Sequence, residues 1–145
     1  MALADPPSMI IGTWLQSQGH VALGTNAFIA MLPASEHDGP VDALMINDTA
    51  GIRDGRGGTA AAHVDVQHHG VQLLNRDTSY PDNWEFVSTL REAFNALENA
   101  TVTVGVNQYT IRTAIVVSGP VNVGFDDTTN ASLLSLNLLL TIGSN

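Results

Sequence analysis

The sequence predicts a single α+β domain, in which an antiparallel or mixed β-sheet is flanked by two main helices. Residues 8–18 and 82–97 place apolar side chains at helical spacing, while several shorter segments are apolar runs or alternate between apolar and polar residues. The chain has 145 residues, of which 44% are hydrophobic. This length and composition suit one domain spanning residues 1–145 and exclude a disordered chain.

Each predicted helix has its own start signals. Asp5 or Ser8 is a candidate N-cap of the first helix. Asp82 followed by Glu85 predicts a capping box at the start of the second helix. The second helix carries one apolar stripe, which consists of Val87, Leu90, Phe94 and Leu97.

Six segments have the pattern of β-strands. They are residues 27–32, 41–47, 64–74, 101–106, 109–117 and 133–142. The first two are predicted to form a hairpin, and Asn107-Gln108 is predicted as the turn between the fourth and fifth. A change of phase near Gly70 indicates a bulge or bend in the third strand.

The predicted strands have one apolar face and one face that is poor in charge. One face of the fifth strand is expected to hold Tyr109, Ile111, Thr113, Ile115 and Val117. In the last strand the even-numbered residues from 134 to 142 are all apolar, whereas residues 133–141 at odd numbers form a mixed face. A second face built from Thr, Ser, Asn, Gln and Ala is typical of a surface that another subunit covers. We therefore expect an oligomer.

A glycine-rich segment at residues 48–62 separates the second and third strands. Gly51, Gly55, Gly57 and Gly58 lie in it, and so do two arginines. The segment is predicted to be a long flexible loop, because so few of its side chains could pack in a core. Residues 118–130 are predicted to be a second loop.

Composition excludes several classes of function. The net charge is −9, lysine and cysteine are absent, and the five basic residues are scattered arginines. No basic stripe is present to bind a nucleic acid backbone, and an anionic membrane surface is disfavoured for the same reason. Without cysteine there is no thiolate catalysis and no cysteine-ligated zinc. With no segment long and apolar enough to span a bilayer, we expect a soluble protein that is made in a cytoplasm.

Candidate catalytic groups are few. His63, Asp65 and His69 share one side of a straight strand, but His63 and His69 would lie roughly 20 Å apart, too far for one metal ion. A metal-dependent hydrolase that uses His63 and Asp65 remains an alternative. We expect no enzyme and no cofactor. Trp14 and Trp84 are both expected to be buried, and Trp84 is also a candidate interface anchor.

The order of segments resembles the tail terminator proteins of long-tailed phages and viruses, also called minor capsid proteins. The resemblance rests on residues 42–51 (Asp-Ala-Leu-Met-Ile-Asn-Asp-Thr-Ala-Gly) and on residues 71–80 leading into the second helix. It continues through Gly119-Pro120, residues 124–126 (Gly-Phe-Asp) and a final strand that holds Asn137 among apolar residues.

The resemblance implies a structural virion protein, located at the head-proximal end of the tail. Six copies would form a ring that stops growth of the tail tube and then offers a surface to the head connector, while genomic DNA passes through the lumen without specific binding. The implied partners are sister copies, the tail tube protein and the head–tail connector. Candidate contact residues are Arg53, Arg56, Arg76 and Asp126. A neck or head-completion protein is the alternative within the same class.

Overall fold

A computed structural model describes residues 3–33, 39–57 and 64–144, with side chains at 3–33, 39–51 and 68–143. Over these residues the chain folds into one six-stranded mixed sheet and two helices, which confirms the predicted α+β class. The elements are α1 (Pro7–Ser17), β1 (Ala27–Ile29), β2 (Ala43–Gly57), β3 (Val64–Asp77), α2 (Tyr80–Asn95), β4 (Glu98–Val104), β5 (Asn107–Asp126) and β6 (Ala131–Ser144). Neither helix is long and apolar enough to cross a membrane.

The strands lie in the order β1-β2-β3-β6-β5-β4. All neighbouring strands are antiparallel except β1 and β2, which are parallel, with Ala27 opposite Leu44 and Ile29 opposite Ile46. The predicted hairpin of residues 27–32 with 41–47 is therefore wrong. An apolar run does not encode strand direction, and the connection between β1 and β2 is long enough for a crossover.

Both helices pack on the same side of the sheet. The rings of Trp14 in α1 and Phe94 in α2 lie 5.8 Å apart, which joins the helices above the sheet. All four residues of the predicted α2 stripe are buried. The core on the sheet side is built mainly from Leu44, Ile46, Val71, Leu73, Tyr109, Ile111, Leu134, Leu136, Leu138 and Leu140. We call this the helix side of the sheet and the opposite side the outer face.

Strands β2 and β3 extend into the segment predicted to be a loop. β2 continues to Gly57 and β3 begins at Val64, so the loop predicted at 48–62 is wrong over its described part, and residues 58–63 lie outside the description. Glycine suits this part of the β2–β3 pairing because the two backbones approach each other closely. A Cβ on Gly51 would overlap the carbonyl oxygen of His68. The predicted irregularity near Gly70 is present as a bulge in the facing strand, between Thr49 and Ile52.

Strand β5 also runs further than predicted, to Asp126, so most of the loop expected at 118–130 is strand. Its pairing with β6 shifts register at four places, and each shift interrupts the simple alternation that sequence reasoning relies on. The first shift separates Ile111, which is buried, from Thr113 and Ile115, which are exposed, so the predicted single face of residues 109–117 is wrong. The turn before β5 is Gly105-Val106, not Asn107-Gln108, because Gly105 adopts a φ of 60°.

The helix starts differ from both predicted caps. Ser79 is the N-cap of α2, and its Oγ accepts a hydrogen bond from the amide of Asp82 at 3.4 Å, so the Asp82–Glu85 capping box is wrong. The N-cap of α1 is Pro6, which has no capping side chain. The carboxylate of Asp48, from β2, replaces it by accepting from the Ser8 amide at 2.8 Å and from the Ser8 hydroxyl at 2.6 Å.

Candidate interaction surface

The outer face of the sheet is made of short polar and apolar side chains in rows across the strands. One row consists of Asn47, Gln72, Asn137 and Ser118, and the Asn137 side-chain amide donates to the Ser118 hydroxyl at 2.9 Å. A second row contains Met45, Leu74, Ser135 and Val121. Within the described ranges no helix or strand lies over these rows. Among the described residues, these rows are therefore at least partly exposed and available to a partner, except at Ser135, which is 2% exposed.

Exposed hydrophobic side chains are concentrated on β5 of this face. Ile115 is 51% exposed and pairs with Leu139, while Val121 is 43% exposed and pairs with Ser135. Val117 and Val123 are 59% and 50% exposed and lie in two of the register shifts, next to Ser118 and Gly124, which pair with outer-face residues of β6. In a bulge two residues of one strand oppose one residue of the partner, so we assign both valines to the outer face. We call Ile115, Val117, Val121 and Val123 the outer patch. Exposed apolar residues grouped in this way are typical of a protein interface.

Arg76 and Asp126, two of the predicted contact residues, pair with each other at one end of the outer face. The Arg76 Nη1 lies 3.4 Å from the Asp126 Oδ2, and Arg76 is 2% exposed. Arg76 also donates to the backbone carbonyls of Val41 at 2.7 Å and Pro40 at 3.3 Å. These contacts give Arg76 a role inside the chain, and its use by a partner stays a prediction.

Local hydrogen bonds keep Asp126 ionised. Burial tends to raise the pKa of this carboxyl, but hydrogen bonds donated by Thr128 and Thr129, together with the guanidinium of Arg76, lower the pKa below its usual value of 3.8. The pair is therefore charged at neutral pH.

Two further charged side chains lie toward the other end of the outer face. Arg112 is exposed and its guanidinium passes over Gly143 of β6, and Glu98 is exposed opposite Thr113. The other two predicted contact residues, Arg53 and Arg56, belong to β2, where their backbones pair with Gln67 and Asp65. Their side chains fall outside the described part of the chain.

A second exposed apolar group lies on the helix side. Tyr80 and Trp84, in the first turns of α2, are 43% and 46% exposed, and their rings lie 6.5 Å apart. Phe125 is 57% exposed and shares the helix side, because it pairs with Ser132, whose hydroxyl accepts a hydrogen bond from Asn83 of α2. We call Tyr80, Trp84 and Phe125 the aromatic patch.

The two tryptophans differ in environment. Trp14 is 7% exposed, as expected, whereas the predicted burial of Trp84 is wrong. Position explains the difference, since Asn83 rather than Trp84 is the residue of this turn that reaches the sheet, where it bonds Asn75 and Ser132. Two carboxylates, Asp82 and Glu85, are exposed on the same turns of α2 and give the aromatic patch an acidic border.

A cavity of about 280 Å³ lies between the first turns of α2 and β2. Its polar lining includes Asp42, Asp77 and Asp82. Burial raises the pKa of Asp77 above its usual value of 3.8, the charges of Asp42 and Asp82 raise it further, and a hydrogen bond from the Ser79 amide opposes them. These three carboxylates make the cavity acidic.

The described residues do not include a group of three His, Asp or Glu side chains arranged to hold a metal ion. His63 and the side chain of Asp65 lie outside that description. In the third strand, burial lowers the pKa of His69, the charge of Asp48 raises it, and His68 lowers it, with a net decrease from 6.5. His69 is therefore neutral at physiological pH.

No model of a protein family matches the chain, and no curated protein matches it in sequence.

Proposed function

We propose that this protein is a structural virion component that assembles with copies of itself into a ring and caps the head-proximal end of a viral tail tube. A tube grows because each ring presents a face that binds the opposite face of the next ring. A terminator retains the face that binds the last ring and lacks the one that would recruit another. Its second face would then receive the head connector.

The observation that carries this proposal is the open outer face of the sheet. In a sheet covered on one side only, the second side is normally wetted and polar. Here that side exposes the outer patch, and its charged side chains lie toward its ends. Depletion of charge around exposed aliphatic residues is the composition of an interface core, which supports contacts between sister copies.

The β2–β3 hairpin supports the docking part of the proposal. β6 pairs with β3 only from His69 onward, and β1 pairs with β2 only over Leu44–Ile46, so the paired residues 52–57 and 64–68 have no further described strand beside them. At about 3.4 Å a residue, this two-stranded arm extends roughly 20 Å from the sheet. An arm of this length suits contact with a neighbouring ring or connector, and Arg53 and Arg56 lie within it.

The charge of the chain suits a channel for DNA. A net charge of −9 repels a polyanion, so DNA can pass a ring of such subunits without adhering to it.

Electron microscopy of particles assembled without this protein tests the proposal. We expect overlong tails that lack heads, because tube growth has no stop and the connector has no docking surface. Tails of normal length that remain attached to heads would contradict the proposal. Headless tails of normal length would instead favour the neck or head-completion protein.

A further inference from the structure

We propose that the contact between neighbouring copies is heterologous, with the aromatic patch of one copy packed on the outer patch of the next. This inference rests on the proposed ring, and it names the two surfaces that build the ring.

The first observation is the distribution of exposed hydrophobic side chains. Seven of them fall into the two patches, and the patches lie on opposite sides of the same sheet. A two-fold contact would cover one patch twice and leave the other in water. A head-to-tail contact covers both patches in every copy, and it closes into a ring when the rotation between copies is right.

The second observation is charge. Asp82 and Glu85 border the aromatic patch, so two aromatic patches placed face to face would bring four carboxylates together. The four residues of the outer patch are uncharged, and the end of the face near Ile115 carries both Arg112 and the carboxylate of Glu98. An acidic border therefore meets an uncharged aliphatic surface rather than a second acidic border, which favours contact between unlike patches.

The types of side chain in the two patches also suit a contact between them. Tyr80 and Trp84 project from the first turns of a helix and supply large apolar area with few rotatable bonds. Ile115, Val117 and Val121 are aliphatic groups on a bulged strand, where the register shifts create local steps. Aromatic anchors against such a surface are typical of the energetic centre of an interface.

Two variants and their mixture test the inference by sedimentation velocity. Val117→Asp damages the outer patch and Trp84→Asp damages the aromatic patch. We expect the wild-type chain to form oligomers, each variant alone to be monomeric, and an equimolar mixture to form one-to-one dimers that grow no further. In the mixture, the intact aromatic patch of Val117→Asp can still bind the intact outer patch of Trp84→Asp. The two patches that remain in this dimer are both damaged, so no third copy can bind.

Val106→Asp is the matched control, because Val106 is 98% exposed at the β4–β5 turn and belongs to neither patch. This control should assemble like the wild type, and circular dichroism should show that all three variants are folded. If Trp84→Asp assembles normally while Val117→Asp does not, the outer patch meets a surface other than the aromatic patch and the inference is wrong, although a ring could still cap the tube. A wild-type chain that stays monomeric overturns the inference, and the particle experiment above then decides the proposed function separately.

Discussion

At the scale of single residues, the molecule uses its few charges to hold backbone segments in place. Arg76 joins the segment before β2 to the end of β5 through two carbonyls and Asp126. Since the guanidinium is almost fully buried, Arg76→Leu leaves both carbonyls without their donor and removes the counter-ion of Asp126, which keeps only its hydrogen bonds from Thr128 and Thr129. We expect a loss of about 3 kcal/mol in unfolding free energy, measured by urea denaturation. Arg91→Leu, which removes an exposed arginine from α2, is the control and should change stability by less than about 0.5 kcal/mol.

The carboxyl of Asp77 lies beside other carboxylates, those of Asp42 and Asp82, whereas Arg76 lies beside a carboxylate of opposite charge. Its raised pKa means that the folded state binds this proton more tightly than the unfolded state, so the charge is unfavourable once the pH rises through the folded pKa. Asp77→Asn retains an oxygen to accept the 2.8 Å hydrogen bond from the Ser79 amide. The variant should therefore gain stability relative to the wild type between pH 3 and pH 7. Thermal unfolding at several pH values measures this gain, and a constant difference would contradict it.

At the scale of elements, α1 depends on a residue far away in the sequence. Asp48 binds both the amide and the hydroxyl of Ser8, where a local cap would otherwise act. Asp48→Ala should lower stability by about 1 to 2 kcal/mol, the usual cost of losing an N-cap, and native hydrogen exchange should show the largest loss of protection in α1. Asp127→Ala, in an exposed turn, is the control. Equal losses of protection in α1 and α2 would contradict a local capping role.

At the scale of elements, some features of the fold could be predicted from the sequence and others could not. The α2 stripe and the alternating leucines of β6 were predictable, because helical and strand periods place those side chains against one core. The parallel pairing of β1 and the cap from Asp48 were not, since both depend on contacts between distant segments. The exposed valines of β5 were assigned to the wrong element or face because register shifts break the period of two. Trp84 was a candidate interface anchor from the sequence, and its exposure agrees with that alternative, whereas Phe125 gave no signal beyond its residue type.

At the scale of the whole molecule, the arm can be separated from the fold that carries it. Ile52 and His68 are paired, so replacing residues 53–67 with Asn-Gly would join them by a two-residue hairpin turn. The core residues that the structure describes all lie outside the replaced segment, and so do the outer and aromatic patches. We therefore expect unfolding temperature and self-association close to those of the wild type, together with a lower yield of complete particles. Sedimentation, calorimetry and particle counts by electron microscopy measure the three quantities. A normal particle yield would show that the arm has no part in docking, whereas lost self-association would place the arm in the contact between copies.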